Sequence, residues 1–172
     1  MTILDLAGAN QQTISYITNL GHRVYSDDLL LQLDRFFGEG DFYANQTGHH
    51  RVAQFLEHAL DFPEGNFDGV LLWDTLAFLE PVLLDTVIRR VLRMVTPGSC
   101  LFALFHAQER VGRVVSYAYR VQDERTILMT ERGERLPAQV FNNRGLERLF
   151  QDFASVKFFL TRDHLREVIV RR

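Results

Sequence analysis

The chain has 172 residues, 47% of them apolar and 24% charged, a balance that excludes a disordered tail and suits one compact domain rather than two. A single cysteine, Cys100, excludes an internal disulfide, a C-x-x-C redox pair and a cysteine-based zinc site. No apolar run reaches the roughly 18 residues of a membrane span, and the N-terminus lacks the basic and apolar stretches of a signal peptide, so a soluble cytoplasmic protein is predicted. The net charge of −3 conceals opposed halves: residues 1–86 hold three Arg against 13 acids, and residues 87–172 hold 16 basic residues against nine acids. Either the two halves face each other or the second offers a surface to an anionic partner, and the first reading is the simpler.

In chain order, Ile3-Leu4-Asp5-Leu6 is too short for a helix and runs into Ala7, Gly8 and Ala9, which reads as a buried strand meeting a turn. Ile14, Ile17 and Leu20 recur at helical spacing, with Thr13 placed to cap the helix and Gly21 to stop it. Residues 22–26 predict a second strand ending at Asp27-Asp28, residues 29–37 a helix stopped by Gly38, and residues 39–50 a polar loop. Residues 52–56 predict a third strand, Asp61-Phe62-Pro63-Glu64-Gly65-Asn66 a turn, and residues 67–73 an almost unbroken apolar fourth strand. Pro81 opens a helix striped by Leu84, Val87, Ile88, Val91 and Val95 and ended by Thr96-Pro97-Gly98; a fifth strand follows at 100–105. Continuous apolar strands alternating with helices predict a parallel sheet covered on both faces, that is, a doubly wound Rossmann-like α/β fold.

The last third changes style. Residues 114–121 and 125–130 alternate apolar and polar side chains around Gln122-Asp123-Glu124, an antiparallel hairpin within an insertion at about 107–141 of the single domain 1–172. Asn143 is placed to cap a helix carrying Leu146, Leu149 and Phe150. Strands at 156–161 and 167–171 are joined by Arg162-Asp163-His164, too short a link for a parallel crossover, so the mostly parallel sheet ends in an antiparallel pair.

Ligands of open parallel sheets bind beyond the carboxyl ends of the strands. The residues there are Asp5 to Asn10, Asp27 and Asp28, Glu57 and His58, Trp73 and Asp74, and His106. An acid at the end of the second strand suits both hydroxyls of a ribose, and one after the third suits an adenine amino group. Asp74 and His106 end neighbouring strands and are the acid/base candidates; the alternatives are a helix cap for Asp74 and a backbone-bonded imidazole for His106. Trp73 and Tyr117 can stack on a flat ring. Tyr117 and Tyr119 share one hairpin face with Val115 and Val121, as simple packing or as an exposed aromatic ledge. Adjacent His49-His50 point apart and have no third ligand at a useful spacing, so no metal is expected. The basic residues are dispersed without aromatic interleaving, which argues against nucleic acid, and the absence of G-x-G-x-x-G argues against a nicotinamide cofactor.

Ile3-Leu4-Asp5-Leu6-Ala7-Gly8-Ala9, Gly21-His22-Arg23-Val24 through Asp28, Leu60-Asp61-Phe62-Pro63-Glu64-Gly65-Asn66-Phe67-Asp68 and Val91-Leu92-Arg93-Met94-Val95-Thr96-Pro97-Gly98 together resemble the class I S-adenosylmethionine-dependent methyltransferases. The resemblance spans nearly the whole chain, terminal antiparallel pair included. It implies S-adenosylmethionine as cofactor, with Asp5, Ala7, Gly8, Ala9 and the residues up to Gln11 at its amino-acid end, Asp28 at its ribose, and Glu57 with His58 at its adenine. Trp73 would join the binding surface, and Asp74 with His106 would assist a methyl acceptor. The chain departs from the family where Ala7, Ala9 and Gln11 replace glycines; the Gln11 side chain is predicted to fill part of the pocket or to rearrange the loop. Only Met1 and Thr2 precede the first strand, where the family carries one or two helices. The Asn/Asp-Pro-Pro-aromatic signature is missing, the chain reading Trp73-Asp74-Thr75-Leu76 at that place. Two functions stay open: an interaction or regulatory protein with a degraded cofactor loop, bound to a protein partner or to a second copy, and an active methyltransferase on a small molecule.

Overall fold

A computed structural model describes residues 1–107, 112–161 and 165–172; the link Arg162-Asp163-His164 lies outside them. The strands are β1 (Thr2–Asp5), β2 (Arg23–Ser26), β3 (Phe67–Trp73), β4 (Val95–His106), β5 (Val114–Asp123), β6 (Thr126–Arg135), β7 (Ser155–Leu160) and β8 (Leu165–Arg171). The helices are α1 (Gln11–Asn19), α2 (Leu29–Phe37), α3 (Phe42–Asn45), α4 (His49–Ala59), α5 (Pro81–Met94) and α6 (Asn143–Leu149), with a 3₁₀ turn at Thr75–Phe78. Six strands form one sheet in the order β2-β1-β3-β4-β8-β7, while β5 and β6 pair only with each other. β1 to β4 run parallel, β8 runs antiparallel to β4, and β7 pairs antiparallel with β8, as the pattern of apolar runs and the short terminal link predicted.

The predicted third strand does not exist. Residues 52–56 lie inside α4, because Val52, Phe55, Leu56 and Ala59 fall at helical rather than alternating spacing and put Phe55 and Ala59 into the core. The sheet therefore ends at β2. Two caps also move by a residue or more: Asn10, not Thr13, accepts from the amides of Gln12 and Thr13, and Asn142, not Asn143, accepts from Gly145.

Alternate strand residues go to opposite faces. Leu4, Val70, Leu72, Leu101, Phe105 and Val168 meet α2, α4, α5 and α6 in the larger core, with Leu33, Phe37, Phe55, Val87 and Leu146. On the other face, Leu71, Trp73, Phe102 and Leu104 lie under the β5–β6 hairpin, packed by Tyr119, Val121 and Met129. Helix α1 stands beside the hairpin and ties to it through Thr13, whose buried hydroxyl accepts from the Val121 amide at 2.9 Å.

The opposed charges of the two halves meet at this level. Asp28 pairs with Arg132, Asp34 with Arg135, Asp61 with Arg90 and Glu64 with Arg93, each an acid from the first half with a base from the second. No helix among the described residues is long and apolar enough to cross a membrane.

Candidate functional site

The loop after β1 and the loop after β2 are zipped together at the carboxyl edge of the sheet. Gly8 donates its amide to the Asp27 carbonyl, Leu29 donates to that of Leu6, and Ala7 bridges to Asp28. Gly8 has φ +91°, and a Cβ there would stand 3.1 Å from Asp28 Oδ2. Glycine is needed on both counts: a left-handed backbone and a close approach. Gly8→Ala is expected to lower stability by about 1–2 kcal/mol, read as a lower urea midpoint at unchanged m-value.

Asp5 is buried, and its Oδ1 accepts from the Trp73 indole Nε1 at 2.7 Å and from the Ala7 amide at 3.1 Å. Burial pushes its carboxyl up from the usual value, and the Trp73 bond counteracts this. Trp73 ends β3 with φ +54°, which turns the buried indole onto Asp5, and Tyr119 of the hairpin stacks on that indole with ring centroids 4.6 Å apart and planes 7° from parallel. Of the two readings of the Tyr117–Tyr119 face, simple packing is the one seen: Tyr119 is buried and Tyr117 meets it edge-on at 6.1 Å.

Asp28 is engaged from two sides. Its Oδ1 caps α2 through the Leu31 amide at 2.9 Å, and Arg132 grips both carboxylate oxygens, at 3.2 and 3.0 Å. The hairpin ladder shifts register where Gly133, at φ +126°, pairs with Ser116 and Glu131 with Tyr117. Arg132 is the extra residue, and such a bulge re-aims a side chain. Arg135 pairs in the same two-armed way with Asp34 of α2, one arm at 2.8 Å. Neither arginine stood out in the sequence except as part of the basic half.

Asp74 and His106 meet as strand-end neighbours, with Oδ2 and Nε2 4.0 Å apart. Burial pushes the Asp74 carboxyl up to about 6 and holds the His106 imidazole below its usual value. Among the described residues Asp74, at the N-cap position of the turn that follows it, makes no side-chain capping bond, and His106 Nε2 has no hydrogen-bond partner. Asp74 Oδ2, His106 Nε2 and the Tyr119 hydroxyl are all buried without a completed hydrogen bond.

The remaining candidates are not brought to this edge as foreseen. Glu57 and His58 are exposed on α4 instead of ending a strand; His58 Nδ1 lies 2.8 Å from the Gln54 carbonyl and its ring 5.4 Å from Phe36. Ala9 is exposed. Gln11 does not fill a pocket: it is exposed in the first turn of α1, where its amide donates to Ser15 Oγ at 3.0 Å. His49 and His50 are exposed on α4, and the described residues contain no group of three metal-ligating side chains.

The residues present do not fit S-adenosylmethionine as they stand. The indole of Trp73 holds Asp5, the guanidinium of Arg132 holds Asp28, and Asp28 itself closes on Gly8, so the positions implied for both ends of the cofactor are taken by the chain's own groups. The wider openings lie elsewhere, among them a groove of about 420 Å³ between α5 and α6, lined by Leu84, Ile88, Phe141 and Leu149.

No protein-family model and no curated protein matches the sequence. Solved structures do match it across 99% of its length. A protein of Pyrococcus horikoshii aligns at 16% identity with a TM-score of 0.57 over 81% of its own chain. The 1,6-didemethyltoxoflavin-N1-methyltransferase of Burkholderia thailandensis, solved with 1,6-didemethyltoxoflavin and S-adenosylhomocysteine, aligns at 14% and 0.56 over 70%. A SAM-dependent methyltransferase of Methanosarcina mazei aligns at 16% and 0.55 over 92%. Strand order, the antiparallel terminal pair and these likenesses agree: the chain has the fold of the class I S-adenosylmethionine-dependent methyltransferases.

Proposed function

We propose that this is a methyltransferase-like protein of the cytoplasm that transfers no methyl group in the form described and acts instead as an interaction or regulatory protein, bound to a protein partner or to a second copy of itself. Fold alone does not fix activity. The observation that carries the reading is the double occupancy of the ligand edge: Trp73 on Asp5 and Arg132 on Asp28. Calorimetric titration with S-adenosylmethionine and S-adenosylhomocysteine is expected to give no binding heat for the intact chain, and none for Gln11→Gly, since Gln11 points to solvent. Saturable binding that disappears in Asp28→Ala would refute it.

A second reading, a methyltransferase acting on a small molecule, draws support from one feature. Asp74 and His106 form an acid–base pair at the ends of β3 and β4, and a carboxyl pushed up to about 6 is suited to moving a proton near neutral pH. That reading requires the hairpin to leave the sheet first.

A further inference from the structure

The hairpin is attached in an unusual way for an element that closes a site. It belongs to a separate two-stranded sheet, and among the described residues no main-chain hydrogen bond joins β5 or β6 to the six-stranded sheet. Its ties are side-chain ties. Arg132 holds Asp28, Arg135 holds Asp34, the Val121 amide reaches Thr13, and Tyr119 lies flat on Trp73. Both arginine pairs are partly solvated, with side-chain exposures of 21–38%, so salt and water reach them.

The seam beneath is incompletely satisfied. Asp74 Oδ2 on the sheet side, His106 Nε2 at the end of β4 and the Tyr119 hydroxyl from the hairpin are all shut away from water without a well-formed hydrogen bond, although the Tyr119 hydroxyl faces the Asp74 carboxyl. A buried polar atom without a partner is penalised relative to its hydrated state. Lifting the hairpin hydrates all three at once at the expense of the small cluster of Trp73, Leu104, Tyr119 and Leu165, whereas the larger core, on the opposite face, takes only Val114 from the two hairpin strands.

From this we infer that the β5–β6 hairpin is an autoinhibitory cover. It sits on the carboxyl edge of β1 and β3 and on the start of α2, with Tyr119 and Arg132 occupying the two groups, Trp73 and Asp28, that a ligand of this edge would need. It lifts as a unit when its arginine latches are released. Lifting exposes the ring face of Trp73 and frees Asp28 Oδ2, while Oδ1 keeps its bond to the Leu31 amide and the six-stranded sheet stays folded. The inference rests on the reading that the edge is filled by the chain itself. Whether the freed edge then takes a cofactor is decided separately by calorimetry, so the two can fail independently.

Trp73 is the only tryptophan in the chain, so its emission reports on the cover alone. The test compares the intact chain with Arg132→Ala/Arg135→Ala by tryptophan emission and acrylamide quenching, with far-UV circular dichroism as the measure of fold. The expected result is a red-shifted emission and a several-fold rise in the quenching constant in the double variant, with little change in the dichroism. Titrating the intact chain with sodium chloride is expected to move both signals the same way. Unchanged emission and quenching in the folded variant would overturn the inference. So would loss of the dichroism together with the emission shift, because the hairpin would then be part of the cooperative core and not a cover upon it.

Discussion

Trp73→Ala is expected to lower stability by about 4 kcal/mol, the largest effect of any single substitution at this edge. Truncating a buried indole to a methyl removes its transfer energy and leaves a cavity between β3 and the hairpin. It also withdraws the Nε1–H from Asp5, a buried carboxylate left with the Ala7 amide as its remaining donor. Trp73→Phe separates the two contributions. It keeps a ring for Tyr119 to stack on and removes the donor with only part of the buried ring volume, so the expected loss is about 1–3 kcal/mol. Urea titrations of both variants measure the difference. Equal losses would mean that the indole hydrogen bond, and not the packing, dominates.

Asp74→Asn is expected to act in the opposite direction and to stabilise the protein at pH 7.5. The folded-state value of Asp74 is raised from 3.8 to about 6, first of all by burial, with the nearby Tyr119 hydroxyl and the Tyr117 amide opposing. A raised value means that the folded form holds the proton more tightly than the unfolded one. The corresponding stability is complete below about pH 4 and is lost as pH rises through about 6, where the buried carboxylate becomes charged. That interval corresponds to about 3 kcal/mol at most. An amide of the same shape never charges, so the variant should gain about 2–3 kcal/mol over the parent at pH 7.5 and almost nothing at pH 4. His106, lowered by burial, acts in the opposite sense below its usual value. Because it is present in both proteins, it largely cancels in the difference. Stability measured at several pH values checks this, and a gain independent of pH would remove Asp74 as its source.

The fold was legible because apolar runs, caps and stops agree locally with the final topology. Leu29 to Phe37 and Phe67 to Trp73 take the bounds that their patterns set, since one is stopped by Gly38 and the other is a buried strand with few polar breaks. The missing third strand was misread because Val52 to Leu56 is too short to separate a strand from one and a half turns of helix; Ala59, outside that window, decides it. The loss of that strand took Glu57 and His58 away from the ligand edge.

The site was legible in its parts and not in its contents. Asp5, Gly8, Asp28, Trp73, Asp74 and His106 all lie at the carboxyl ends of the strands, where chain order put them. What occupies them was hidden, because hairpin docking is a non-local event. Nothing in Thr126 to Arg135 states that a bulge at Arg132 will aim a guanidinium at a carboxylate 104 residues away. The one available signal was the charge split, read as two halves that face each other. The conspicuous departure in the sequence is Gln11, where the resemblance places a glycine. At the first position of a helix that side chain simply turns outward.

If the chain's own indole and guanidinium fill the edge where the fold places its ligand, the proton–nitrogen spectrum of the single indole shows it. With Trp73 Nε1 held on Asp5 beneath Tyr119, one indole signal is expected that exchanges slowly with solvent and does not move as S-adenosylhomocysteine is added to millimolar concentration. A saturable shift of that signal at low ligand concentration, with fast solvent exchange before the addition, would contradict that occupancy.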